Sequence, residues 1–328
     1  MRTALLTGAT GFVGGHVARD LLEHGWAVRA LVRPESLGDG RLPPGCEPRP
    51  GDLRDAAAVR AAVAGADAVF HVAARYSLAR RRAADVWRTN VDGTRNVLDA
   101  AVAADVPVVH TSSVATIGLP ADGRPGDEDT PLPPEQVVGA YKRSKLESER
   151  LALAAAEAGR HVVVVNPTAP VGPGDHLPTP TGRIITDFLA GRMPAYVDTG
   201  LNLVDVRDVA AGHRLALERG RPGRRYILGN ENLTLREILT ILAGLTGRRP
   251  PRVRLPHAVA IAVAAVDEAI EGGVLGREPL APLDGALMAR KRMFVDPSRA
   301  ARELGAPRSP VREALADAVD WFAGRAAA

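Results

Sequence analysis

Over the first 170 positions, short apolar runs alternate with longer stretches of helical spacing. Thr3–Thr7 is an apolar run ending at a glycine, and the amphipathic stretch Phe12–Glu23 follows and stops at His24-Gly25. Ala27–Val32 reads as the next strand, with a short one at 47–50 ahead of Gly51-Asp52. Ala56–Val63 is helical in pattern and 68–72 is a buried-strand run. Residues 86–103 form a long amphipathic stretch with Val91, Val97, Leu98 and Val102 as inner positions. Residues 106–110 are β-rich, 138–158 predict a long helix, and 161–165 hold four consecutive valines. Strands alternating with helices predict an α/β fold. The expected form is a Rossmann-type doubly wound parallel sheet, built of right-handed βαβ units and covered on both faces.

After residue 170 the alternation weakens. Pro167-Thr168-Ala169-Pro170 and Pro178-Thr179-Pro180 mark loops, and shorter helices follow at 235–244 and 311–322. The reading is a dinucleotide-binding region at 1–170, to which 203–229 returns. A smaller, mostly helical substrate-binding region occupies 171–328. Ligands of such sheets sit at the carboxyl ends of the strands, so the crevice between the two regions is the expected site.

Composition removes several classes. Of 328 residues, 46% are hydrophobic and 24% charged, which is ordinary globular usage. No apolar run reaches the roughly 18 residues of a membrane-spanning helix. The proline-led apolar stretch 255–269 reads as a core helix, with a hydrophobic substrate mouth or a membrane-surface contact as alternatives. The single cysteine, Cys46, cannot form an internal disulfide. The start is too short in its apolar part for a secretory signal. A soluble, cytoplasmic protein is expected, peripheral at a membrane if the substrate is a lipid. The net charge of +4 comes from basic residues scattered among acids, with only three Trp, four Tyr and five Phe. Nucleic-acid binding is therefore not expected, and neither is a metal.

The loop Thr7-Gly8-Ala9-Thr10-Gly11-Phe12-Val13-Gly14 joins the first strand to the first helix. Gly8 permits a tight turn, Gly11 a close backbone approach to a pyrophosphate, and Gly14 close packing of helix on strand. Gly8, Thr10, Gly11, Phe12, Val13 and Gly14 are thus candidate cofactor contacts. The second strand ends in Val32-Arg33 without an acid. Arg33 suits the 2′-phosphate of NADP(H), which is the preferred cofactor, with NAD(H) the alternative. Asp52, followed by Leu53, is placed to accept from an adenine amino group or to cap the helix that begins near Asp55. Val72, Ala73 and Ala74 form a small-residue wall beside a cofactor, and His71 reads as a satisfied interior histidine.

The reactive pair is Tyr141 and Lys145, four apart and on one face of a helix. A phenol is a poor acid–base group at neutral pH, and a nearby cation lowers its pKa. Of 42 basic residues only Lys142, Lys145 and Lys291 are lysines, so two of three fall at this spot. Lys142 and Arg143 read as a solvated face. Thr111-Ser112-Ser113 ends the fifth strand, 28 residues ahead of Tyr141, and a hydroxyl there can orient a reacting oxygen.

Taken together these residues resemble the extended short-chain dehydrogenase/reductase family. The resemblance rests on the glycine loop, Gly51-Asp52-Leu53, the run His71 to Ala74, Asn90-Val91-Asp92-Gly93-Thr94, Thr111-Ser112-Ser113, Tyr141-x-x-x-Lys145 and Asn166-Pro167. The chain looks most like the hopanoid-associated sugar epimerase subgroup, itself similar to dihydroflavonol-4-reductase-like enzymes. The resemblance implies that Ser113 polarises the substrate oxygen and Tyr141 is the acid–base. It also implies that Lys145 binds the nicotinamide ribose and holds the Tyr141 pKa down. Asn90 would brace the lysine region, Ser112 and Pro167 would line the cofactor site, and a homodimer would form through 86–103 and 138–158.

Two departures separate the chain from sugar-nucleotide epimerases. Their Arg-Asp pair is matched here by Leu201 and Asn202, and a leucine cannot neutralise a diphosphate. The acid-free end at Arg33 suits a dissociable NADPH. The first reading is an NADP-dependent oxidoreductase acting on a carbonyl or secondary alcohol of a bulky, partly apolar small molecule. Arg81, Asn166, Thr181, Arg183, Tyr196 and Asn202 are its candidate substrate contacts. The alternatives are an epimerase or dehydratase with tightly held NAD, and a non-enzymatic cofactor sensor.

Overall fold

The computed structural model describes residues 1–274 and 283–326. The first half runs β1 (Thr3–Thr7), α1 (Phe12–Glu23), β2 (Ala27–Val32), β3 (Cys46–Pro50), α2 (Ala56–Val63) and β4 (Ala68–His71). It continues with α3 (Ala83–Trp87), α4 (Gly93–Ala104), β5 (Val108–Thr111), α5 (Gly139–Glu157) and β6 (Val162–Pro167). The second half holds β7 (Ala169–Val171), α6 (Pro180–Leu189), β8 (Ala195–Val197), β9 (Gly200–Asp205), α7 (Val206–Arg219) and β10 (Arg225–Leu228). Then come β11 (Glu231–Thr234), α8 (Leu235–Thr246), β12 (Val253–Leu255), α9 (His257–Asp267), α10 (Leu283–Met288), β13 (Arg292–Met293) and α11 (Val311–Ala326).

Seven parallel strands form the main sheet in the order β10-β6-β5-β4-β1-β2-β3. Chain order reverses at β1, which opens the crevice above β1 and β4. Successive residues of one strand enter different cores. Leu6, Phe70 and Val165 meet α1 and α7 on one face. Leu5, Val69 and Val164 meet α2, α4 and α5 on the other. A strand buried on both faces must be apolar throughout, which is why the valine run 162–165 is unbroken. Each fully buried Val or Leu contributes about 1.5–3 kcal/mol.

The smaller sheet, β11-β9-β13 with β7 beside β9, packs under α6, α8 and α11 around Phe188, Leu203, Leu242 and Leu315. Thr234 and Glu237 close a reciprocal cap at the start of α8. Of the stretch 203–229, Leu203, Val204 and Asp205 belong to this smaller sheet, while α7 and β10 return to the large layer.

Several expectations are corrected. The strand 106–110 starts two residues later because Pro107 removes a ladder donor, and the strand 161–165 runs on to Pro167. The helix expected at 86–103 begins at Ala83 and is broken at Arg88–Asp92 by a π-helical turn. Lys142 is buried, not solvated, whereas Arg143 is exposed. The stretch 255–269 is no core helix: along α9 only Ala264 is buried.

Candidate active site

The glycine loop crosses the carboxyl end of β1. Gly8 has φ +82°, and a Cβ there would stand 2.8 Å from the Ala73 backbone. A Cβ on Gly14 would overlap the Gly8 carbonyl oxygen. Gly11 sits at the cap of α1, and no side chain caps that helix, so its first N–H groups stay open to an anion. This cradle, which any larger side chain would fill, fits a dinucleotide pyrophosphate. Thr10, Phe12 and Val13 lie in the same loop and first turn.

At the far corner Arg33 is exposed, with Nη1 3.3 Å from Glu35 Oε1. Asp52 does not cap α2. That role falls to Asp55, which accepts from the amides of Ala57 and Ala58 at 2.9 and 3.1 Å. Asp52 instead takes the guanidinium of Arg54 in a bidentate pair at 2.9 and 2.7 Å, which holds its carboxyl below the usual range. Arg54 thus brings a second guanidinium to the corner where Arg33 acts on Asp52. Its sequence signal was its place two residues beyond Asp52. Leu53 lies buried beneath.

A chain of hydrogen bonds ties this loop to the π turn. The Ala73 amide donates to Thr7 Oγ1 (3.1 Å), and the Thr94 hydroxyl donates to the Asn90 carbonyl (2.6 Å). Thr94 Oγ1 therefore accepts from His71 Nε2–H at 2.9 Å, and His71 Nδ1 accepts from the Thr7 hydroxyl at 2.8 Å. Burial, and then the charge of Lys145, lower the His71 pKa to about 3, so the ring is a neutral relay of position. Val72, Ala73 and Ala74 leave β4 above this chain. The side chain of Asn90 holds both backbone groups of Arg75 (2.7 and 3.1 Å) and donates to Ser144 Oγ at 2.9 Å. Ser144 in turn donates to the Tyr141 carbonyl at 2.7 Å.

The structure brings Ser113, Tyr141 and Lys145 together at the end of β5. Ser113 starts the short turn Val114–Thr116 and accepts from the Ala115 amide at 3.2 Å. Ser112 is buried, its amide bonded to the Val165 carbonyl at 2.7 Å. Pro167 ends β6 on the neighbouring strand. Burial raises the Tyr141 pKa, and a hydrogen bond with Ser113 opposes the rise. The net direction for Tyr141 is thus upward, because burial outweighs the opposing hydrogen bond. Lys145 Nζ donates to the Thr111 carbonyl at 2.7 Å. Burial lowers the Lys145 pKa to about 8, opposed by the charge of Glu149. Tyr76, missed in the sequence, packs edge-on against Tyr141 with ring centroids 4.6 Å apart.

Below the serine turn lies a buried cluster that sequence reasoning also missed. Glu149 receives Arg225 Nη1 at 3.0 Å, Thr116 Oγ1 at 2.8 Å and Asn166 Nδ2 at 2.7 Å. Asn166 Nδ2 also lies 3.1 Å from the Ser113 carbonyl. Asn166 is fully buried, so it braces this turn and is corrected from a substrate contact to a scaffold residue. Asn202 is corrected likewise. Its nitrogen donates to Asn232 Oδ1 at 2.9 Å and its oxygen accepts from the Asn230 amide at 2.8 Å. The other candidates are scattered over the second half and a short turn. Arg81 and Arg183 are exposed, Tyr196 half-buried on β8, and Thr181 buried in the first turn of α6.

Comparison with known proteins shows the family and the fold. A model of the NAD dependent epimerase/dehydratase family matches residues 4–229. The chain is 48% identical to the "Putative dihydroflavonol 4-reductase" of Synechocystis sp., over 97% of this chain and 93% of that one. It is 36% identical to sterol demethylase protein B of Methylococcus capsulatus, over 98% of this chain and 99% of that one. The crystal structure of gox2253 superposes with a TM-score of 0.87 at 43% identity, over 99% of both chains. The chain is a member of the NAD dependent epimerase/dehydratase family, within the extended short-chain dehydrogenases/reductases.

Proposed function

We propose that the protein is an NADP(H)-dependent reductase of a ketone or aldehyde on a bulky, partly apolar molecule, reversible as an alcohol dehydrogenase. The observation that carries this reading is the placing of Ser113, Tyr141 and Lys145 at the end of β5, beside a glycine cradle open to an anion. A nicotinamide cofactor bound in the cradle would supply the hydride. Ser113 orients the carbonyl oxygen, and the Tyr141 hydroxyl delivers the proton that completes the alcohol. Lys145 holds a positive charge beside the end of β5, while Asn90, through Ser144, fixes the turn of α5 that carries Tyr141. Thr10, Gly11, Phe12, Val13, Asp52, Leu53, Val72, Ala73, Ala74, Ser112 and Pro167 frame the cofactor. Arg33, with Arg54 beside it, reads the 2′-phosphate.

The names of the two relatives, a flavonol-type reductase and a sterol-processing protein, support an apolar substrate. The family's description favours a second reading, an epimerase or dehydratase holding NAD. Against it, Asn202 spends its amide inside the small sheet and Leu201 offers no charge to a diphosphate.

The deciding experiment titrates cofactor-stripped protein with NADPH and NADH, for wild type and Arg33→Ala. NADPH consumption is then followed over a panel of apolar ketones. A strong NADPH preference that collapses in the variant supports the reductase. Tight NAD binding indifferent to Arg33, with no net cofactor turnover, gives the site to the epimerase.

A further inference from the structure

We infer that the outer face of α9 is a lipid-docking surface that seats the protein on an anionic bilayer with the mouth of the cleft beside it. The face is apolar and uncovered. Val259 is 46% exposed, Val263 and Val266 are each 58%, and Ile270, in the turn that continues α9, is 49%. Steps of four, three and four residues set these side chains in one stripe. Ala258, Ala262 and Ala265 widen it, and Val253 on β12 is exposed at the approach to α9. The acids Asp267, Glu268 and Glu271 fall off the stripe by helical phase. The pattern is that of an interfacial helix, apolar on one side and too short to span.

Charge decides the occupant. Arg248, Arg249 and Arg252 are exposed ahead of α9 and form no ion pair among the described residues. His257, in the first turn of α9, lies 3.2 Å from the Ala289 carbonyl, which brings Arg290, Lys291 and Arg292 to the same end. Arg254 and Arg292 both pair with Asp198, at 2.8 and 2.9 Å. Seven cations thus lie around the start of the stripe, and the acids they meet among the described residues are Asp198 and, near Arg292, Glu237. A second copy docked here by a two-fold axis would set this cationic patch near its own image. Anionic headgroups would neutralise it while the valines enter the acyl boundary.

The helix adjoins the cleft through its covered side. α10 packs on α9. Its Asp284 lies so close to Gly139 that a Cβ there would strike the carboxylate. Gly139 opens α5 two residues before Tyr141. A substrate dissolved in the bilayer would therefore enter where the protein is seated. Only this purpose rests on the apolar-substrate reading, since docking itself is measured without substrate.

The test is co-sedimentation of the full chain with vesicles of phosphatidylcholine alone or mixed with phosphatidylglycerol. Binding to the anionic vesicles, released by salt, is expected. Val263→Asp with Val266→Asp should weaken it by about tenfold or more, with NADPH affinity unchanged. Arg249→Gln with Arg252→Gln should weaken it and flatten the salt dependence. Absence of vesicle binding, or binding that the aspartates leave intact, overturns the proposal. Self-association that the aspartates abolish, without vesicle binding, gives the face to a second copy and overturns it too. Vesicle binding in a protein that turns over only water-soluble sugar nucleotides would leave docking standing and remove the apolar-substrate reading instead.

Discussion

The two sides of the cleft are built in opposite ways. On the side of the main sheet, the polar side chains that support the site are buried and held by a second residue. Asn90 is tied to Ser144, Thr94 to His71, and Ser113 lies over the Glu149 cluster. On the other side the elements are short, β8 with three residues and β13 with two. Arg254 and Arg292 are exposed there, and α9 turns valines to solvent. Chemistry needs fixed atoms, so its side is overdetermined. Recognition can vary between relatives, so its side is lightly constrained.

The sharpest way to break this comparison is Tyr141→Phe. It removes one hydroxyl and should cut turnover by about 10²–10⁴-fold while NADPH binding is preserved. Steady-state rates and a cofactor titration check it, and normal turnover would remove Tyr141 from the reaction. Next is Glu149→Ala, which strands Arg225 and Asn166 in the interior. A loss of about 3–5 kcal/mol in denaturant unfolding is expected. Lys145→Met is the third. The Lys145 pKa falls from 10.5 to about 8 on folding, so between those values the unfolded chain holds a proton that the native state has shed. Stability from this group therefore rises with pH across that window, by up to about 3 kcal/mol. Unfolding at pH 7 and pH 10 should show wild type gaining on the methionine variant at the higher pH. The smallest effect belongs to the other side. Asp198→Ala removes an exposed pair of bridges and should cost under about 1 kcal/mol. A loss as large as that of Glu149→Ala would erase the distinction between the sides.

The same contrast governs what could be read in the sequence. The parallel sheet was legible because strands buried on both faces leave valine runs, as at 162–165. The pair Tyr141 and Lys145 was legible because helical spacing is local. Arg225 on Glu149, and Asn202 on Asn230 and Asn232, were not, because those contacts join distant parts of the chain. The stretch 255–269 was misread for a different reason. Apolar content tells how much a segment gains by burial, while only the fold tells whether a neighbour is there to bury it. Lys142 failed in the opposite sense, since a lysine beside Arg143 carries no sign that α5 turns it inward.

The π-helical turn at Arg88–Asp92 has a consequence for how this site tolerates change. A π turn is one residue wider than its α-helical equivalent, and that extra residue sets the phase between α3 and α4. Deleting a single residue there would restore a regular helix and turn everything before it by about 100° about the axis. Asn90 would then lose either Arg75 or Ser144, because no rotation of its amide reaches both from a new phase. The length of this turn is thus under tighter control than its composition. Point substitutions at its solvent-facing Arg88 should be accepted, whereas insertions and deletions of one residue between Trp87 and Gly93 should not.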